Sequence, residues 1–264
     1  MKKFCAVLIA LGVFVCLLAG CADKATDAAD FKYTVTDEYV YILGYTGEEK
    51  KVVIPEKIEG KPVKGIGFHA FLSSDIESVT IPSTVVMIGE MAFANCSKLH
   101  TVKLNANITE IESEVFKKCV SLKNINIPST VTKIDHYAFS ECEALEKIAI
   151  PKSVTQMGMG AFFGNKSLTE IEFEEGIKKI GSFAVFQACT SLKSVTIPSG
   201  VEEIGDTTFS ACDSLKTVKF LGDAPEKVGD YVFGPPNKNI EVHYSKDASG
   251  WDNTSLSDYT LVEY

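Results

Sequence analysis

The chain has 264 residues, 45% hydrophobic and 23% charged, the balance of a folded protein and not of a disordered or collagen-like one. Its formal net charge is −9 and all 26 basic residues are lysines. With no guanidinium fork, any reading built on bidentate recognition of phosphate, carboxylate or base edges is weakened, and nucleic-acid binding is not expected.

Met1-Lys2-Lys3 is a short positive start, and Phe4 to Leu18 is an apolar run of signal-peptide length, too short for a comfortable membrane span. It ends in Leu18-Ala19-Gly20-Cys21, which resembles a bacterial lipobox. That resemblance implies removal of residues 1–20 and acylation of Cys21. Two or more acyl chains anchor a protein stably, where one is marginal. Residues 21–30 are small, polar and aperiodic and read as a flexible tether.

From residue 31 onward the chain is periodic. Residues 31–47 alternate polar and apolar side chains, and Val52 to Ile54 opens the first repeat. An insertion around Glu59-Gly60-Lys61-Pro62 follows. Strands are then predicted around Val79-Ile81, Val102-Leu104, Ile125-Ile127, Ile148-Ile150, Ile171-Phe173, Val195-Ile197 and Val218-Phe220. Phe93, Phe116, Phe139 and Phe162 keep the same 23-residue step, and Phe186 and Phe209 continue it after one extra residue, which a loop can absorb. After Ala224 the pattern degenerates, with Ile240-Glu241-Val242 as a final strand.

Within one repeat, Ile125 and Ile127 alternate with Asn124 and Asn126, the period of a half-buried strand, and Pro128 stops it. Val131 and Ile134 turn a second apolar edge inward. Ala138, Phe139, Cys142 and Leu145 have the spacing of a short helix or helical turn. One repeat cannot bury its apolar side chains alone, so neighbours must stack into a continuous core. Seven or eight parallel strands about 4.8 Å apart would make an array roughly 35–40 Å long.

The recurring Leu-x-x-Ile-x-Ile-Pro-x-x-Val-x-x-Ile pattern resembles the BspA-type leucine-rich repeat family. The resemblance implies an α/β solenoid with a parallel sheet on its concave face and short helices or turns opposite. It also implies a single domain over 31–264: an N-terminal hairpin cap (31–51), repeats (52–223), and a degenerate repeat with a C-terminal cap (224–264). Gly250-Trp251 resembles that cap, with Trp251 closing the end of the core.

Cys96, Cys119, Cys142, Cys189 and Cys212 occupy one slot of their repeats, and Asn165 fills it once. Metal ligands converge on a point, whereas a ladder sets side chains in a row, so these read as buried free thiols. His69, His100, His136 and His243 share no repeat position. No metal site and no cofactor are expected. Gly158-Met159-Gly160-Ala161-Phe162-Phe163-Gly164 misses the dinucleotide-loop spacing and reads as scaffold. No nucleophile elbow is present, and an enzyme is not expected.

The candidate binding residues are the outward ones of the strand face: Thr80, Thr101, Lys103, Asn124, Asn126, Lys147, Glu170, Glu172, Ser194 and Thr196. They are polar, mixed in charge and without an aromatic anchor, which suits weak or multivalent contacts. The expectation is a monomeric, exported, lipid-anchored protein at the cell surface or facing the periplasm. Its membrane contact would run through the lipid alone. The family resemblance implies adhesion to an extracellular or envelope protein or glycan; the rival reading is a structural scaffold or spacer.

Overall fold

The computed structural model describes residues 24–235, 239–253 and 255–264. Over them the chain winds as a parallel β-solenoid, each turn supplying a strand to a first sheet, a shorter strand to a second sheet, and a third side built of tight turns. The predicted 23-residue period is therefore the period of one turn.

The first sheet carries the long strands in register. Lys51–Val53, Ser78–Ile81 and Thr101–Leu104 pair in parallel, as do Lys147–Ile150 and Glu170–Phe173. Ser194–Ile197, Thr217–Phe220, Glu241–Tyr244 and Thr260–Glu263 form a third block. Alternation buries Val79 and Ile81, Ile148 and Ile150, or Val195 and Ile197, and leaves their neighbours outward. The strand expected at Ile125-Ile127 is not formed as a paired strand, although both isoleucines are buried. Asn124 and Asn126 flank the two isoleucines there, and asparagine is a residue depleted in strands.

Ser78–Ile81, Lys147–Ile150 and Ser194–Ile197 stop where a proline was expected to stop them, at Pro82, Pro151 and Pro198. Pro128, Pro151 and Pro82 each accept, through the carbonyl, the amide three residues on, at Val131, Val154 and Val85, over 3.0–3.1 Å. The second sheet follows, from two-residue strands such as Glu110–Ile111, Lys133–Ile134 and Gln156–Met157 that each bury one apolar side chain.

Of the short helices or turns expected on the third side, the structure has the turns. It has no α-helix among the described residues, only two left-handed residues four apart in each turn: Met91 and Asn95, Glu114 and Lys118, Tyr137 and Glu141, Ala188 and Ala184, Ala211 and Thr207. Odd and even amides part company here. Met91, Phe93 and Asn95 donate to Ser113, Val115 and Lys117 of the next turn, whereas Ala92, Ala94 and Cys96 donate back three residues. A helix would direct every amide four residues back along its own chain. The inter-turn bonds are lost in that arrangement, so stacking wins over local helix. Gly160 and Gly164, at φ 59° and 72°, fill the same two slots, which accounts for the glycines of the 158–164 stretch.

Phe71, Phe93, Phe116, Phe139, Phe162, Phe186, Phe209 and Phe233 form one stack, with successive ring centroids 4.8–5.8 Å apart and planes within 24°. The stack thus extends one ring beyond the sequence period at each end. Phe31 and Tyr45 pack on Phe71, and Tyr259 meets Phe233 edge-on. Trp251 is buried between Phe220 and Tyr244. Beside the rings, Cys96, Cys119, Cys142, Cys189 and Cys212 donate their thiols to the carbonyls of Phe71, Phe93, Phe116, Phe162 and Phe186, at 3.0–3.5 Å. Asn165 sits in the same row, fully buried, with both amide atoms unpartnered.

Two further expectations are corrected. The extra residue after Ile180 is taken up in a bulge within Lys179–Phe183, where Gly181 has φ 63° and pairing with Glu203–Asp206 shifts register, and not in a loop. Both sheets are interrupted at this point. Residues 26–30 are docked and not free tether. The Thr26 amide donates to the Val53 carbonyl and the Val53 amide to Thr26 Oγ1, both at 2.9 Å, and Asp27 caps the 3-10 turn Ala28–Asp30.

Asn165→Cys restores a donor to the row and removes two orphaned polar atoms, so it is expected to raise stability by about 1–3 kcal/mol in urea unfolding. Ala211→Gly, which relieves a left-handed alanine at φ 56°, is expected to stabilise by about 0.5–1 kcal/mol. Gly160→Ala should destabilise, because its Cβ would lie 2.5 Å from the Tyr137 ring.

Candidate functional site

The outward positions of the first sheet lie in two rows. Register sets Lys51, Ser78 and Thr101 side by side in one row, and Val53, Thr80 and Lys103 in the other. Lys147 adjoins Glu170, and Ser194 adjoins Thr217, in the continuation. Lys103, Asn124, Asn126, Lys147, Glu170, Glu172, Ser194 and Thr196 are exposed, and Thr80 and Thr101 are half-buried. The face is not a uniform binding surface. Lys147 and Glu170 form an ion pair, so their charges cancel locally, and hydrogen bonding to Glu170 holds the Lys147 ammonium above its ordinary pKa. Asn124 and Asn126 fall on the unpaired segment, where the sheet is interrupted.

Two shallow clefts lie on this face. One, of about 470 Å³, spans the first three rungs and is lined by Lys24, Lys51, Ser78, His100, Thr101 and Lys103 among others. The other, of about 320 Å³, holds Glu170, Glu172 and Glu175 with Ser194 and Thr196. Charge is therefore segregated along one surface. Lys24, Lys51 and His100 were missed by sequence reasoning. Lys51 was findable, since it is the register partner of Ser78, but the longer 27-residue step from Ile54 to Ile81 hid the row.

The second sheet gathers a group that sequence reasoning also missed, because its members come from successive turns and meet only through the winding. Glu110, Glu112 and Asp135 bring one carboxylate oxygen each within 4.8 Å of the others. Lys133 stands among them, paired with Glu110 and, at 2.8 Å, with Asp135. Its ammonium supplies the positive charge such a group demands. Burial would raise the Asp135 carboxyl, but the Lys133 ammonium and the His136 amide hold it below its ordinary value, while burial and then Glu110 push Glu112 up. The arrangement is a structural ion-pair cluster.

The row of thiols is chemically quiet. Burial pushes Cys96 and Cys142 up to about 12, and Cys119 and Cys189 well above the ordinary range, so these four offer no thiolate at neutral pH. Cys21 lies outside the described residues. Among those residues no helix is long and apolar enough to cross a membrane.

The cluster makes an acid-lability prediction. Asp135, depressed in the folded state, contributes stability above its unfolded value near 3.8, and that contribution is lost as pH falls through the folded value. Asp135→Asn should therefore show a smaller loss of unfolding free energy between pH 7 and pH 3 than the parent chain. An unchanged pH slope would place the acid-sensitive group elsewhere.

Comparison with known proteins bears on all of this. The family model for the BspA type leucine rich repeat region matches in six copies, over residues 64–184 and 161–260. A leucine-rich repeat protein of T. pallidum of known structure is 33% identical, with a TM-score of 0.67, over 73% of this chain and 91% of that one. A leucine-rich repeat protein from Bacteroides ovatus shares the fold at 22% identity and a TM-score of 0.63, over 91% of this chain and 77% of that one. No curated protein matches the chain. Proteins of this family are typically surface-exposed in bacteria and generally non-catalytic. The repeat spacing, the solenoid it builds and the matched residues together place the chain in the BspA-type leucine-rich repeat family.

Proposed function

We propose that the chain is an exported, lipid-anchored surface protein that binds an extracellular or envelope protein or glycan, without catalysis, through its first-sheet face. The supporting observation is the contrast between the two sides of each strand. Inward positions repeat Val and Ile along the array, whereas outward ones change from hydroxyl to amide to ammonium to carboxylate and stay in solvent. Packing demands nothing of those outward residues, so their variety is available for recognition. In this reading Cys21 carries the lipid, the first-sheet face is the concave one, and Phe31, Tyr45, Trp251 and Tyr259 close the ends of a monomer. Adhesion is the task that suits a polar face engaged many times over. A spacer role is the second reading, favoured by the internal pairing of Lys147 with Glu170 and of Lys219 with the Tyr264 ring.

The test displays the full chain, in nonionic detergent, multivalently against matrix proteins and envelope glycans. Saturable binding weakened about tenfold or more by combined Asn124→Ala, Asn126→Ala and Lys147→Ala is expected. A blank profile from a chain that still unfolds cooperatively would leave the spacer role. Lipidation is read separately, as incorporation of labelled palmitate that Cys21→Ala abolishes.

A further inference from the structure

We infer that the cleft over the first three rungs is a site for an anionic polysaccharide, a sugar chain bearing carboxylate or sulfate groups. The inference rests on the binding reading above and narrows it to one end of the face and one class of ligand.

Charge is the first argument. In a protein of net charge −9, this cleft is lined by Lys24, Lys51 and Lys103 with His100 and by no Asp or Glu. Lys24 and Lys51 make no ion pair among the described residues, unlike Lys50 and Lys98, which both approach Asp75. The acidic cleft farther along the same face, with Glu170, Glu172 and Glu175, marks the contrast. A polyanion would be drawn to one end of the face and repelled from its middle.

Spacing and hydrogen-bonding capacity are the second. Lys51 and Lys103 lie two rungs apart and in different rows, so their strand positions are roughly 12 Å apart at the usual strand spacing and rise, which suits successive charges on an extended chain better than a single small ion. Between them Ser78, Thr80 and Thr101 present hydroxyls, which both donate and accept and so match sugar hydroxyls. Lysine is a point charge on a flexible stem, suited to anions presented at variable angles.

The lining also argues against other occupants. It offers no aromatic or exposed large apolar side chain to anchor a protein partner. The exposed Leu43, Phe68 and Met87 that could enter a bilayer interface lie outside it.

The experiment measures retention of the full chain, in nonionic detergent, on immobilised dextran sulfate and polygalacturonate, with neutral dextran and phosphatidylglycerol vesicles alongside. Retention by at least one polyanion and not by neutral dextran is expected, weakening as salt rises. Lys24→Gln combined with Lys51→Gln should lower affinity about tenfold and reduce the log–log salt slope by roughly two. Lys166→Gln combined with Lys178→Gln removes the same charge elsewhere and should leave binding unchanged. Equal loss in both double variants, no loss in the first, or binding to the vesicles but to neither polyanion would overturn the site. If the polyanions fail while another ligand still binds the strand face, this inference falls and the broader one stands.

Discussion

Everything in this fold depends on phenylalanine lying under phenylalanine. The ring stack runs unbroken from Phe71 to Phe233, past both interruptions of the sheets, with spacings that barely exceed the distance between strands. Burial of each ring is worth roughly 1.5–3 kcal/mol, and aromatic pairing adds up to about 1.5. Hydrogen-bond ladders tolerate a missing rung, as at Asn124 to Ile127, because the residues beneath are held by the stack. A lost ring would open a void shared by two neighbours. The 23-residue period is thus the number of residues needed to bring the chain round to the same ring.

Much of this was legible in the sequence, and the misses have physical causes. Period-two alternation located the long strands, and prolines located the ends of those closing at Ile81, Ile150 and Ile197, since both signals are local. The third side stayed open between helix and turn because Ala138, Phe139, Cys142 and Leu145 have the same three-and-four spacing whether the backbone is helical or turns through paired left-handed residues. Only the destination of the amide hydrogens separates the two, and that lies in the next repeat. Asn124-Ile125-Asn126-Ile127 looked like the model strand, yet it is the rung without ladder pairing, and alternation alone does not report the poor strand propensity of its asparagines. The bulge at Gly181 was visible as one extra residue, but its location in a strand was not. Thr26 looked like tether because nothing in its neighbours' composition announces that it will meet Val53.

The candidate site was legible in outline only. Outward strand positions follow from alternation, so the two rows could be named residue by residue. What register adds is adjacency: that Lys147 is spent on Glu170, that Lys51 belongs beside Ser78, and that lysines gather at one end and glutamates toward the middle. The acidic group around Lys133 shows the same limit. Glu110 and Lys133 are 23 residues apart and meet as neighbours, a relation that the period implies but composition does not.

The direction of the inter-turn hydrogen bonds carries a last consequence. Between the paired left-handed residues of the turn side, the amides that leave their own repeat point toward the C-terminal neighbour, as Phe93 does to Val115 and Phe209 to Val232. At the corners between sheets they point the other way, as Gly89 does to Ile66 and Gly229 to Ile204. Two antiparallel columns of peptide dipoles therefore run along the solenoid and oppose one another, unlike the aligned dipoles of a helix. Repeats can be added without building up opposite electrical poles at the two ends. The potential at each end is then written by side chains alone, free to differ between one end and the other.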